Sequence, residues 1–257
     1  MRDNAFVIGK GVVGQSTMKA LEIPYFFDLK EANINLEEGS KKQWCFICLP
    51  TPTDEKGGQE KSREAIKDYI KQIHSYGGST IFVVRSTVLP GTCRGLAQET
   101  GAMVASNPEF LSDLTWEYDC LHPRIKVIGS DSPQAVRELK TYWQHIPSKI
   151  DIATDSVTAE MLKYAFNTFA VTKITFANQI FDACALVGAD YSVIEKALHE
   201  HPWGSKHHFK VLDKGGRGAG GKCIPKDLKA FAKWSNLKFF QKVEEINTSY
   251  LNSSHKP

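Results

Sequence analysis

Three glycines fall in one short stretch, Gly9-Lys10-Gly11-Val12-Val13-Gly14, directly after the apolar run Ala5-Phe6-Val7-Ile8 and before a helix-like segment lasting to about Leu21. A strand that turns sharply into a helix needs a corner residue without a side chain, and Gly9 supplies it. Gly11 lets an anionic ligand reach the backbone, and Gly14 lets the helix lie close against the strand. The free amides at the start of that helix make a site for phosphate groups. Three glycines at this spacing are weak evidence by themselves. Here they sit between a strand and a helix, and Asp28 closes a second apolar run, Tyr25-Phe26-Phe27, where an acidic side chain can meet a ribose.

This is the Rossmann fingerprint, and it points to a dinucleotide. Gly9, Gly11, Val12, Val13 and Gly14 are read as the pyrophosphate turn, and Asp28 as the acceptor for the adenosine ribose hydroxyls. Its charge would repel a 2′-phosphate, so NAD is favoured over NADP, although Lys30 would soften that repulsion. An acidic turn residue after an ordinary strand is the alternative. Further strands are expected near 44–49, 80–86, 103–106, 125–129 and 150–153, with helices near 62–76, 93–100 and 133–145. That alternation predicts an α/β fold whose N-terminal part is a Rossmann-like parallel sheet with helices on both faces. Pro50, Thr51, Thr53, Ser86 and Thr87 follow strands, where an open α/β sheet receives its ligand, and are candidates for the nicotinamide ribose; turn chemistry explains them equally well. The stretch 54–61, rich in glycine and charge, reads as a mobile surface loop.

After Thr154 the pattern changes to one long helical run, about 156–187, without proline or glycine and closed by Gly188. The expected domains are therefore 1–154, binding the cofactor, and 155–257, a central helix followed by a small all-helical part. Lys163 and Asn167 lie four residues apart on that helix and can aim an ammonium and an amide at one oxygen, or be an ordinary exposed pair. Asn107-Pro108-Glu109-Phe110-Leu111-Ser112-Asp113 follows a strand and offers two carboxylates at helical spacing, which a solvated helix start explains about as well.

Near the carboxyl end, Gly220-Gly221-Lys222-Cys223-Ile224-Pro225-Lys226-Asp227 sets a cysteine where Pro225 suggests that a helix begins. Unpaired helix amides, Lys222 and Lys226 would all favour the ionised sulfur there. The preceding glycines would let a substrate approach. A tight turn before a surface helix is the bland alternative.

The remaining composition narrows the class. Thirty-two basic and 29 acidic residues leave a net charge of +3 with no block of one sign, so neither nucleic acid nor an anionic membrane is implied. No signal-peptide core or bilayer-length apolar run is evident, and a cytoplasmic protein is expected. Six scattered cysteines read as reduced thiols; Cys45-Phe46-Ile47-Cys48 has redox spacing but lies in a strand-like run and reads as packing. Histidines 199, 201, 207 and 208 have no cysteine partner at zinc spacing, so no metal is expected.

Taken in order, these motifs resemble the nucleotide-sugar dehydrogenase family of UDP-glucose and GDP-mannose 6-dehydrogenases. The resemblance runs from Gly9 through 46–53, Arg85-Ser86-Thr87-Val88, Asn107 to Leu111, Ala159 to Asn167 and Gly220 to Asp227. It implies two successive hydride transfers to NAD that take a sugar primary alcohol to a carboxylate, with Cys223 holding the intermediate as a thiohemiacetal and then a thioester. Lys163 and Asn167 match the pair that stabilises charge on the sugar oxygen, Asp227 and Thr87 the residues that hold the water, and Glu109 the base. Glu109, Phe110, Leu111, Asp113, Lys163, Asn167, Arg217, Gly220 and Cys223 are the implied substrate contacts, with UDP-glucose the expected substrate; Arg217 is set toward its diphosphate or is an ordinary loop arginine. A homodimer through the long helix is expected, because Phe166, Phe169, Val171, Ile174, Phe176 and Ile180 offer more apolar surface than a small carboxyl segment can cover.

Three departures stand out. Asp113 falls where the family has a glutamate. Ala219 replaces the phenylalanine of the usual Gly-Phe-Gly-Gly, which is expected to remove an aromatic wall beside the sugar. The chain stops near where the family's third, nucleotide-gripping domain would begin. Two other readings stay open: a β-hydroxyacid-type dehydrogenase, which also carries a lysine and asparagine one turn apart on a long helix but needs no nucleophile, and a truncated NAD-binding partner without activity.

Overall fold

The computed structural model describes residues 3–112, 114–204, 207–212 and 216–252. Asp113, one of the expected substrate contacts, lies outside the described residues. The chain forms two compact units, one from residues up to Pro52 together with Gln59–Lys163, the other from Thr53–Gly58 and Tyr164 onward.

In the first unit, β1 (Ala5–Ile8), α1 (Val12–Leu21), β2 (Tyr25–Phe27), α2 (Leu36–Ser40), β3 (Trp44–Ile47), α3 (Glu60–Ser75), β4 (Ile81–Val84), α4 (Thr92–Thr100), β5 (Val104–Ser106), α5 (Trp116–Asp119), β6 (Ile125–Gly129), α6 (Pro133–Trp143) and β7 (Ile150–Thr154) alternate along the chain. The sheet has seven strands in the order β2-β1-β3-β4-β5-β6-β7. Successive strand residues point to opposite faces, and both faces are covered. Phe6, Ile8, Cys45, Ile47, Phe82 and Val84 meet Ile66, Ile70 and Ile73 of α3 and Leu96 of α4. Val7, Trp44, Phe46 and Val83 form the other core with Leu21 of α1 and Ala135, Leu139 and Trp143 of α6. This two-sided burial is why these strands read as unbroken apolar runs.

One pairing departs from the all-parallel expectation. β5 and β6 are antiparallel, meeting at Ser106 and Gly129. The connection between them holds only the four-residue α5, not a crossover helix, so the chain turns back instead of returning to the starting edge. β6 therefore continues past the end of β5, where the Asn107 side chain donates to Val127 O at 2.6 Å.

Cys45 and Cys48 belong to opposite cores of this sheet. Burial pushes the Cys45 thiol well up and that of Cys48 to about 11, so both are packing groups and not a redox pair.

The helix α7 (Ser156–Val187) begins in the first unit and continues into the second, followed by α8 (Tyr191–Glu200), α9 (Ile224–Ser235) and α10 (Lys238–Asn252). In the second unit Ala177 and Cys184 of α7 pack with Tyr191, Phe209 and Val211, and Val171 packs with Ala219, Leu228 and Val243. The segment 54–58 is not a free loop. Asp54 accepts from the amides of Lys56 and Gly58 at 2.8 and 2.7 Å, and Thr53 Oγ1 donates to Lys226 O at 3.2 Å. The final helix begins at Lys238, because Asn236, left-handed at φ 52°, caps α9.

Gly14 and Gly11 predict opposite outcomes on substitution. A Cβ on Gly14 would lie 1.9 Å from Gly9 O, whereas one on Gly11 meets nothing within 4 Å. Gly14→Ala is expected to lower stability by more than about 3 kcal/mol. Gly11→Ala should keep the melting temperature of the parent but lose NAD affinity, and thermal melting with NAD titration on both variants checks this.

Candidate active site

The crevice of the first unit lies between β1 and β3, because the chain leaves β1 for β2 on one side and reaches β3 on the other. Ligands of open α/β sheets bind at such a reversal, beyond the carboxyl ends of the strands. Gly9, at φ 90°, is pressed so near Cys48 that a Cβ would come within 2.6 Å of its carbonyl oxygen. Gly11 caps α1 with no side chain of its own on the helix amides, and Gly11 and Val12 are exposed. The arrangement leaves amides and space for a pyrophosphate, so the residues fit a dinucleotide.

Asp28 closes β2 with its carboxylate turned to that glycine turn. Oδ2 accepts from the Lys10 amide at 2.8 Å and Oδ1 from the Lys30 amide at 3.2 Å. The Lys10 amide above all, then that of Lys30, holds the carboxyl below its ordinary range, so it is charged at neutral pH. Each oxygen keeps lone-pair capacity for a ribose hydroxyl. The Lys30 side chain is exposed.

Of the two strand-end loops, Pro50 is exposed and Thr51 buried, while Ser86 donates to Leu49 O at 2.7 Å and so ties the end of β4 to that of β3. Thr87 is half-buried on the same loop. Thr53 belongs to the second unit, bonded to the backbone of α9.

Glu109 and Lys163 form the charged centre of the first unit. Lys163 Nζ donates to Glu109 O at 2.7 Å and to Glu109 Oε1 at 3.1 Å, and the Leu111 amide donates to Oε2 at 2.7 Å. Burial pushes the Glu109 carboxyl up, but Lys163, the Leu111 amide and Arg85 outweigh it and leave its pKa lowered. Arg85 is itself buried, bonded to the Asn107 side chain and stacked 5.1 Å from the Trp143 ring centroid. Phe110 lies under the same lysine, with Nζ 5.4 Å from its ring centroid. Lys163 thus bonds to Glu109, and Asn167, one turn further along α7, to Asp227.

In the second unit Asn167 Nδ2 donates to Asp227 Oδ2 at 2.6 Å, and Asp227 is 1% exposed. Cys223 is the N-cap of α9, an exposed cysteine outside any disulfide, with Pro225 in the first turn. Lys226 was expected beside the sulfur, yet its ammonium pairs with Asp227 Oδ1 at 2.5 Å. Gly220 is exposed, and Gly218 at φ 79° and Gly221 at φ 87° adopt backbone that favours glycine.

The Arg217 guanidinium pairs with Asp182 at 2.6 Å and donates to Asn178 Oδ1 and O at 3.0 Å, which ties its loop to α7. Ala219 is 2% exposed and points into the core with Val171, Leu228 and Val243, so its small size alters packing and not a pocket wall. Asn247, absent from the sequence reading, fixes this turn by accepting from the Ala219 amide at 2.7 Å and donating to its carbonyl at 3.1 Å. Its only sequence signal is an amide on the apolar side of α10.

Among the described residues no three His, Cys, Asp or Glu side chains are placed to hold a metal ion, and no helix is long and apolar enough to cross a membrane. Comparison with known proteins agrees with the motifs. Residues 29–147 match the NAD binding domain of the UDP-glucose/GDP-mannose dehydrogenase family, and residues 157–249 match its central domain. The chain belongs to this family and carries its NAD-binding fold. It is 35% identical over 198 residues to the UDP-glucose 6-dehydrogenase YwqF of Bacillus subtilis, covering 73% of this chain and 43% of that protein. It is 31% identical over 208 residues to the enzyme of Rickettsia conorii, covering 79% and 47%. A UDP-glucose dehydrogenase structure from Pyrobaculum islandicum superposes with a TM-score of 0.81 at 25% identity, over 97% of this chain and 68% of that one. The chain spans about half the length of the curated relatives it matches.

Lys163→Met would strand the Glu109 carboxylate in a site only 14% exposed. Breaking such a pair costs about 3 kcal/mol at pH 7. With its folded pKa lowered, Glu109 contributes fully above the unfolded carboxyl's range, about pH 4.5, and the contribution vanishes as pH falls through the folded value. The urea-denaturation gap between parent and variant is therefore expected to narrow from pH 7 to pH 4.

Proposed function

We propose that the chain catalyses, with NAD, the oxidation of a nucleotide-sugar C6 alcohol to the carboxylate, with UDP-glucose as substrate. What carries the reading is an exposed cysteine at the N-terminus of α9, four residues before a buried aspartate that is bonded to the asparagine of α7. A simple alcohol dehydrogenase has no use for that nucleophile.

NAD supplies the hydride acceptor in each of two rounds. In the first, the alcohol loses its proton and a hydride, and Lys163 and Asn167 stabilise negative charge on the oxygen. The Cys223 sulfur then adds to the aldehyde carbon, giving a thiohemiacetal. Loss of a second hydride leaves a thioester, and water, held by Asp227 and Thr87, cleaves it with Glu109 taking the proton. One sugar, two NAD and one water thus give the carboxylate, two NADH and the released protons, with the thiol restored. A helix N-terminus favours the anionic sulfur that the addition needs.

Glu109 is held as a carboxylate by Lys163, so its work as a base requires that the ammonium turn toward the substrate oxygen. The Ser86, Thr87, Pro50 and Thr51 loops, with the glycine turn and Asp28, form the cofactor side, and Glu109, Phe110, Leu111, Gly220 and Cys223 the sugar side. The enzyme acts in the cytoplasm as a homodimer in which α7 buries Phe166, Phe169 and Phe176, which are 48, 60 and 49% exposed in the single chain.

A panel of nucleotide sugars read by NADH absorbance tests this. Two NADH per UDP-glucose are expected, and Cys223→Ser is expected to lower turnover at least about 100-fold and to stop at one equivalent or less. One NADH per substrate in both proteins would instead assign a single, β-hydroxyacid-type oxidation. NAD binding without turnover of any sugar would assign a partner subunit.

A further inference from the structure

The loop from Arg85 to Gly91 is fixed at both ends. At its start Ser86 donates to Leu49 O. At its end the Gly91 amide donates to Glu160 Oε2 at 2.6 Å, and the Cys93 amide donates to Oε1 at 2.8 Å. These amides open α4, where no earlier turn can receive them, and the carboxylate that takes both comes from α7, 67 residues away from Cys93. Glu160 is 2% exposed.

A cap is ordinarily supplied by the residue just before the helix, and at low energetic cost. Burying a remote carboxylate to do the same work is expensive unless the placement itself matters. What it places is specific. Glu160 stands three residues before Lys163, one turn of α7, and that lysine is bonded to the Glu109 backbone and side chain. A single helical turn therefore pins the loop after β4 and the segment after β5. The first of these carries Thr87.

We propose that Glu160 is a positioning residue, whose ionised carboxylate holds the loop 86–91 in register with Lys163, in the shape that receives the nicotinamide half of NAD. The proposal rests on the assignment of Ser86 and Thr87 to the cofactor side. Both carboxylate oxygens are needed as acceptors. A proton on either makes that oxygen a much poorer acceptor for the N–H it faces, and one of the two pins is weakened.

Burial pushes the Glu160 carboxyl up to about 7, against the pull of the Cys93 and Gly91 hydrogen bonds, and Asp131 adds to the rise. The other ionisable groups facing it are the Cys93 thiol, itself raised by burial, and Arg94, which is paired with Asp131 and Asp155. The clamp is therefore complete above neutral pH and loosens below it.

The test is NAD affinity from pH 6 to pH 8 for the parent and Glu160→Gln, together with the ¹⁵N amide shifts of Gly91 and Cys93. In the parent, NAD binding is expected to weaken about 2.5-fold from pH 8 to pH 6, the linkage effect of a half-unit change in pKa. Both amides should titrate with the same midpoint, near 7. Glu160→Gln should bind NAD more weakly at pH 8 and show no such dependence. Amides that stay flat from pH 6 to 8, or a variant with the parent's affinity at both ends, would overturn the proposal. Should the variant fail to fold, the parent's titration decides alone, with Glu160→Asp, too short to reach both amides, as the second variant. None of these readouts needs sugar oxidation. Absence of turnover with the NAD linkage intact strikes the proposed reaction only, and turnover without the linkage strikes the clamp only.

Discussion

The approach of Gly14 to Gly9 sets the geometry of the cofactor half. A single methyl group at position 14 would fall inside the van der Waals shell of the Gly9 carbonyl, so α1 can lie this close to the turn only because there is none. With α1 seated there, its first amides face outward over the end of β1, and the carboxylate of Asp28 reaches the Lys10 amide. Cys48, against which Gly9 is pressed, fixes the neighbouring strand at the same level. The crevice is thus a product of backbone contact more than of side-chain chemistry.

Charge within each unit is arranged differently. In the first, Glu109, Lys163, Arg85 and Asn107 form one buried group in which every cation has a polar partner. In the second, Asp227 sits between Asn167 and Lys226. Buried ions kept in this way are costly to build and costlier to break, and such groups collect where chemistry is done. In each unit the polar side chains satisfy one another, Lys163 with Glu109 in the first and Asn167 with Asp227 in the second.

Much of the fold was legible because two-sided burial leaves a mark. Trp44 to Ile47 and Ile81 to Val84 are apolar at every position, and nothing but a covered strand or helix core reads that way. The glycine turn and Asp28 were legible for a similar reason, since steric demand selects residue type. Strand direction leaves no such mark, and the antiparallel β6 was missed. Pairing partners were also hidden: Lys163 meets a glutamate 54 residues away, and Arg217 meets Asp182 on another element, contacts that no local pattern encodes. Ala219 was placed on the wrong side because the direction in which a turn residue points depends on Asn247, which lies 28 residues further on. Glu160 carries no local signal either, since the Gly91 and Cys93 amides that it holds lie 69 and 67 residues before it.

The six residues from Thr53 to Gly58 have a consequence of their own. They lie in the chain between β3 and α3 of the sheet unit, yet they are counted with the helical one, so the backbone passes from one unit to the other three times. No single cut can part the halves cleanly. A sheet unit excised at Lys163 would carry away a turn that seats on α9, and a helical unit started at Tyr164 would lack it. Shuffling these halves among different genes would therefore tend to damage both, which makes the pair a single heritable module.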